Sequence, residues 1–356
     1  MAPALLYDDD SVVYTPSKTI MCSVNVQATP KVVELDFEAY TEENELIADI
    51  AESLKTSGGC IVRGMYQQNT LDALETEIRP HIEVTKKADQ RRDDFVPSST
   101  RMITGLLSKS RTYALSVAGN SLWHRVCENF LTSRLANSWV SCWCLPCNIL
   151  SNEYQHGNEA RNSVSLPQLS TTVTFSVSPG TKAQGLHRDD DIYHTQHPAA
   201  TTHHQGRDTM LCLFVAGKQC TRRNGATRIV PGSHLWDFTA PPPSYVESPE
   251  MFVHAEMMPG DAFFMLGGVY HGAGSNTTTD EERLVYAAFA TRGHLRQEEN
   301  QYLANDLDKI AELPLHIQRF AGFGTSKPYM GWIGNDMEEP VKMLNPGIKI
   351  GEPNFW

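Results

Sequence analysis

The run Thr172-Val173-Thr174-Phe175-Ser176-Val177 alternates polar and apolar residues, stops at Pro179-Gly180, and constrains the fold of this chain more than any other feature. Successive side chains on extended backbone point to opposite faces, so a period of two marks a strand with one face turned inward. Further strand candidates follow at residues 211–215, 226–230, 262–266 and 283–291, separated by clusters of Gly, Pro, Asn and Asp. From about Leu169 onward the chain therefore reads as a β-sandwich or small barrel. Two long irregular stretches, 190–208 and 236–249, interrupt the strands. Long loops inside compact domains are usually lids or binding loops, so both are expected near a site, with His194, His197, His203 and His204 on a polar loop over a substrate.

The first third has a different texture. Leu46, Ile47, Ile50, Ala51 and Leu54 recur at helical spacing, and Gly58-Gly59 ends the pattern, which predicts a helix over 42–54. Residues 60–64 read as a short strand. Further helices are expected over 70–82 and 121–133, the latter with Trp123, Val126, Cys127, Phe130 and Leu131 on one face. Residues 1–32 show no clear period and read as an extended arm. No linker-like stretch divides the 356 residues. One domain is expected over 33–325, with a helical part at 33–150, a strand-rich core at about 169–292 and a C-terminal extension at 326–356.

Composition narrows the function classes. Hydrophobic residues at 40% and charged residues at 20% suit a globular chain with a large core. A net charge of −12 opposes binding to phosphate backbones, which depends on clustered Lys and Arg, so nucleic acid is excluded as a partner. There is no run of about 18 apolar residues, and MAPALLYDDD lacks a basic leader, so no membrane partner and a cytoplasmic location are expected. Eight cysteines are too sparse for a disulfide scaffold and imply a reducing compartment. Cys142, Cys144 and Cys147 have spacing that resembles a zinc or iron–sulfur site, but no second pair follows, and a reduced structural cluster is the simpler reading.

A redox iron site that must also bind a bidentate co-substrate and dioxygen needs three protein ligands on one face of the metal, and two His with one carboxylate meet that need. His187-Arg188-Asp189 places a His and a carboxylate on the same side of extended backbone. One such pair is weak evidence, because buried histidines are usually hydrogen-bonded core residues, and His254-Ala255-Glu256 offers a similar pattern. Context favours His187 and Asp189: they follow an alternating strand and Gly185, whereas His254 lies just before a Pro-Gly-Asp turn. His271, between the glycines of 267–274, is the third ligand in this reading, since glycine lets backbone approach closely. Twelve residues later comes Arg283, sharing a strand face with Val285, Ala287 and Phe289. A buried arginine needs a partner, and its fork of donors matches a carboxylate. Trp143, Trp236, Phe238 and Tyr270 are candidates for a substrate pocket, although aromatics near strand ends are as often core.

The segments GLHRDD (185–190), NGATRIVPGSH (224–234), PGDAFFMLGGVYHGAG (259–274) and ERLVYAAFATR (282–292) occur in the order found in one family. Over about 33–325 the chain resembles the phytanoyl-CoA dioxygenase (PhyH) family of iron(II)/2-oxoglutarate oxygenases, particularly its fungal members that tailor specialised metabolites. The resemblance implies a mainly β double-stranded β-helix, or jelly roll, with flanking N-terminal helices. It implies iron(II) on His187, Asp189 and His271, and 2-oxoglutarate held by Arg283 with Gln184 and Thr227. It further implies dioxygen as co-substrate, ascorbate as a reductant, a homodimer, and a small organic substrate such as a terpenoid, polyketide or alkaloid. The expected outcome is hydroxylation, desaturation, epoxidation or rearrangement at an unactivated C–H bond, with release of succinate and carbon dioxide. Asp189 argues against halogenation, because halogenating relatives lack that carboxylate. Two rivals remain at this stage. A non-catalytic jelly-roll binding protein would be expected to have lost a ligand or the arginine, and a zinc hydrolase on the same ligands would leave Arg283 without a role.

Overall fold

A computed structural model describes residues 30–85, 96–97, 99–137 and 161–351. The candidate cluster of Cys142, Cys144 and Cys147, Trp143, and nearly all of the expected N-terminal arm lie outside these residues.

Helix α1 (Glu43–Ser57) forms as the period predicts, with Leu46, Ile47, Ile50, Ala51 and Leu54 all buried. Burying a side chain of the Leu or Ile type stabilises by about 1.5–3 kcal/mol, so this face holds the helix down. The helix ends at Gly58, whose φ of 80° is the left-handed conformation that glycine adopts cheaply, and its N–H closes the last turn on Leu54. Strand β2 (Gly59–Arg63) follows at once and pairs in parallel with β1 (Val33–Asp36). Helix α2 (Gln68–Val84), strand β3 (Thr100–Ile103) and the single turn α3 (Leu106–Lys109) lead to α4 (Ser121–Leu131). Asn120 caps α4 by accepting from the N–H of Trp123. The helix stops two residues short of expectation because Ser133 begins β4 (Ser133–Asn137), which forms a separate two-stranded sheet with β5 (Arg161–Ser165).

The remaining strands are β6 (Gln168–Val177), β7 (Met210–Ala216), β8 (Thr227–Ile229), β9 (Val253–His254), β10 (Ala262–Leu266), β11 (His271–Ala273) and β12 (Arg283–Thr291). The major sheet has seven strands in the order β1-β2-β10-β7-β12-β6-β3, antiparallel except for β1 with β2. The minor sheet runs β11-β8-β9, and a β-bridge between His187 and His271 adds the segment around His187 to its edge. Together they form the expected double-stranded β-helix with N-terminal helices flanking it. Central strand β7 is buried at every position, which is why it reads as a continuous apolar run rather than an alternation. Trp123 of α4 packs on Phe264 of β10, and the Tyr113 hydroxyl donates to the carbonyl of Ala287 in β12, so the helices cover the major sheet.

Candidate metal centre

One cavity of about 450 Å³ lies between the sheets, lined by residues of both. Alternation supplies its walls: Thr171, Val173, Phe175 and Val177 come from one face of β6, and Arg283, Val285 and Phe289 from the facing positions of β12. His187, Asp189 and His271 also line it, and their ligand atoms all lie within 4.8 Å of one another. The His187 Nε2 stands 3.3 Å from Asp189 Oδ1, and the His271 Nε2 stands 3.4 Å from Oδ2.

Local backbone explains the convergence. His187 and His271 exchange both backbone N–H···O=C bonds, each 3.0 Å. Each ring turns its Nδ1 to the carbonyl two residues upstream, Gly185 for His187 and Val269 for His271, again at 3.0 Å. An N–H on Nδ1 that donates to a carbonyl orients the ring so that Nε2, once deprotonated, presents its lone pair inward, the form a metal accepts. Asp189 is fixed by its N–H to the Gly267 carbonyl at 2.9 Å and by the Cys212 thiol, which donates to Oδ2. Gly272 makes the crossing feasible, since a Cβ there would stand 2.8 Å from the backbone oxygen of Gly185. Burial opposes charge on Asp189, but the two histidines outweigh it through charge and hydrogen bonds, holding the carboxyl well below the usual carboxylate range. Burial likewise opposes charge on His271, and the adjacent Asp189 more than offsets this, raising its pKa.

Arg283 is buried in the same cavity. One guanidinium nitrogen donates to the carbonyl of Gly225, and Nε has no partner. Among the described residues no carboxylate pairs with it, and burial lowers its pKa. A guanidinium stays charged even so, and an unpaired buried cation is a costly arrangement that an anionic ligand relieves. Gln184 and Thr227 line the cavity too. Gln184 Oε1 accepts from the N–H of Ala273, which leaves its amide donors for a ligand. The two-His, one-carboxylate donor set and the unpaired guanidinium fit iron(II) and 2-oxoglutarate.

The other sequence-predicted residues lie elsewhere. Phe238 and Tyr270 do not line the cavity. They sandwich the Arg188 guanidinium at 4.0 and 3.8 Å from their ring centroids, while Trp236 packs beside Tyr270 in a small apolar cluster with Val230 and Phe252. Arg188, between the two ligands, alternates away from them and needs this cover, and it also donates to the carbonyls of Gly268, Ser233 and Phe238. The loop histidines do not line the cavity either. His197 bonds the Arg207 carbonyl at 2.7 Å and His203 pairs with buried Asp208 at 2.6 Å, while Arg207 ties the two loops together through the carbonyls of His234, Pro198 and Trp236. The loops are locked against each other by these bonds, and only Asp191 and Ile192 of 190–208 reach the cavity. His254 sits in β9 opposite Arg228, outside the ligand cluster. Asp190 is buried, and burial raises its carboxyl pKa to about 7.

Sequence reading missed Cys212 and Glu298. A cysteine in an apolar strand looks like core, and Glu298, which lines the cavity, lies in an aperiodic segment after the last strand.

Residues 54–285 match the family described as phytanoyl-CoA dioxygenase (PhyH). Dioxygenase cnsJ of Penicillium expansum is 38% identical over 300 residues, covering 84% of this chain and 82% of that protein. Dioxygenase himG of Aspergillus japonicus is 33% identical over 318 residues, covering 86% and 90%. Among solved structures, the epimerase SnoN in complex with Fe3+, alpha ketoglutarate and nogalamycin RO aligns over 76% of this chain and 91% of that one, at 17% identity and a TM-score of 0.48. The matched span holds the converging His187, Asp189 and His271 together with Arg283, and this chain belongs to the phytanoyl-CoA dioxygenase family of iron- and 2-oxoglutarate-dependent dioxygenases.

Proposed function

We propose that this dioxygenase oxidises an unactivated C–H bond of a small specialised metabolite, with iron(II) on His187, Asp189 and His271 and the distal carboxylate of 2-oxoglutarate on Arg283. The observation that carries this reading is the convergence of two Nε2 atoms and one carboxylate in the same cavity as an unpaired, buried guanidinium. When bound, iron and 2-oxoglutarate together activate dioxygen, with succinate and carbon dioxide as co-products. The chain's own part is positional. The backbone braces on both Nδ1 atoms keep the donors in place, Arg283 with Gln184 and Thr227 orients the co-substrate, and Met102, Phe175, Phe214 and Phe289 keep the site dry. Hydroxylation, desaturation, epoxidation and rearrangement are all outcomes of one such site. The apolar lining suits a terpenoid, polyketide or alkaloid. The relatives from Penicillium and Aspergillus, themselves named dioxygenases, support the family assignment on which this rests.

The unit is taken to span 33–325 and to act as a homodimer. Exposed Tyr329, Met330, Trp332 and Met343 in the C-terminal segment supply an apolar surface for a second copy. No helix among the described residues is long and apolar enough to cross a membrane. Cys60, Cys127, Cys212 and Cys220 are free thiols, in keeping with a reducing, cytoplasmic setting.

The test is iron-loaded protein incubated with 2-oxoglutarate and a panel of metabolites, reading succinate and product mass. Succinate coupled to a product 16 mass units heavier, or 2 lighter, is the expected result, and hydrolysis without 2-oxoglutarate would favour the zinc reading instead.

A further inference from the structure

Beyond Thr291 the chain returns across β6 as irregular backbone, and its attachment there is unusually complete. Gln297 donates to the carbonyls of Leu169 and Ala321 at 2.6 and 3.0 Å. The Glu299 carboxylate accepts from the N–H of Gly105 (2.6 Å), the N–H and hydroxyl of Thr172 (3.1 and 3.0 Å) and the Gln301 amide (2.8 Å). Between them, the N–H of Glu298 donates to the Ser170 hydroxyl, and the next N–H, of Glu299, donates to the Ser170 carbonyl. Both neighbours and the backbone of Glu298 are thus fastened to one end of β6.

The Glu298 carboxylate itself has no hydrogen-bond or ion-pair partner among the described residues. It borders the metal cavity and also an adjoining cavity of about 270 Å³ formed with Leu295, Tyr302 and Met330. Enclosure first, then the charges of Asp189 and Glu299, push its pKa up to about 7. A solvated surface glutamate would need neither the fastened neighbours nor the position between two cavities.

Strand register says which part of the site Glu298 serves. Cys212, which touches Asp189, lies opposite Phe289, and Phe289 lies opposite Thr171, so the metal ligands sit at the same end of β6 as Ser170 and Glu298. Arg283 pairs with Val177 at the other end. A co-substrate reaching from the metal to Arg283 leaves the Glu298 side for the organic substrate.

We infer that Glu298 is a specificity-determining residue of this enzyme, accepting a hydrogen bond from a protonated amine, and that the organic substrate therefore carries a basic nitrogen. This deepens the function proposed above and rests on it for the direction of the co-substrate. An enclosed carboxylate without a partner is disfavoured, and a cationic partner restores what its desolvation costs.

The test compares two probes of nearly equal shape, 4-phenylpiperidine and 4-phenyltetrahydropyran, titrated calorimetrically into the manganese- and 2-oxoglutarate-loaded protein without turnover. The wild type is expected to bind the amine about tenfold or more tightly than the ether, the effect of one charged hydrogen bond. Glu298→Gln should bring the two within about threefold by weakening the amine alone. Its affinity for the ether and for 2-oxoglutarate, and its thermal midpoint, should match wild type. Equal binding of the probes by the wild type, no amine binding at millimolar concentration, or an amine preference that survives in Glu298→Gln overturns the inference. Because 2-oxoglutarate affinity is measured separately, failure of the parent reading would show there and not in the amine-to-ether ratio.

Discussion

The thiol of Cys212, wholly buried in the middle of β7, donates to Oδ2 of Asp189 at 3.3 Å. Burial, and next the Asp189 charge, push the thiol pKa well above its ordinary value, so sulfur keeps its proton and remains a donor. The major sheet thereby steadies a carboxylate carried by a different segment. Partners of this kind typically contribute about 10–100-fold in metal affinity. Cys212→Ala should weaken iron(II) binding within that range in a metal titration, and Cys212→Ser, which keeps a donor, should recover most of it. Equal losses in the two variants would assign the effect to packing.

Removing a ligand should be far more severe. Asp189→Ala and His271→Ala are each expected to abolish stoichiometric iron(II) and succinate formation while leaving a cooperative thermal transition. Metal analysis of the purified variants checks this, and full iron content in His271→Ala would displace that residue from the site.

Arg283→Ala should leave iron binding intact and weaken 2-oxoglutarate. Leaving a desolvated carboxylate unpaired costs about 2–5 kcal/mol, which corresponds to roughly 30-fold to a few thousand-fold in affinity. Arg283→Lys should recover part of the loss, since a point charge lacks the second prong. Titration of the iron(II)–2-oxoglutarate charge-transfer absorbance reads both, and a wild-type curve for Arg283→Ala would move the anchor to another cation, such as Lys182 on the same cavity.

His234 predicts a pH effect on stability. It is buried, donates Nε2–H to the Lys55 carbonyl at 3.0 Å and leaves Nδ1 unpartnered, and burial lowers its pKa to about 4. An unfolded histidine titrates near about 6.5. Between those values the unfolded chain takes up a proton that the folded one refuses, so stability is full above about pH 6.5 and declines as pH falls toward 4. The contribution at stake is about 3 kcal/mol. In urea titrations across that window, His234→Gln should show a shallower pH slope than wild type, and parallel slopes would reject the assignment.

Much of this is legible in the amino-acid sequence alone. The alternation in 172–177 and 283–289 fixed which side chains face inward, and the cavity is lined accordingly. Spacing and glycine content brought His187, Asp189 and His271 forward, and the structure gathers them. What stayed hidden depends on contacts between distant segments. Phe238 and Tyr270 were read toward the substrate because aromatic residues near strand ends suit a pocket, but the guanidinium of Arg188 claims both faces. The loop histidines looked like a lid because nothing local shows that Asp208 and Arg207 hold the loops shut. Glu298 had no period to mark it, and its aim is set by neighbours bonded to β6.

The mutual backbone bonds between His187 and His271 bear on the history of the molecule as well as its chemistry. His187 leaves the ribosome long before His271, and until the roll closes the two cannot brace each other. Metal affinity that depends on a completed fold is folding free energy, so a nascent or misregistered chain lacks the clasp that would retain iron. On the ligand set proposed above, the oxidising centre would be completed only as the roll closes, and iron uptake in a pulse-labelled chain would serve as a timestamp for that closure.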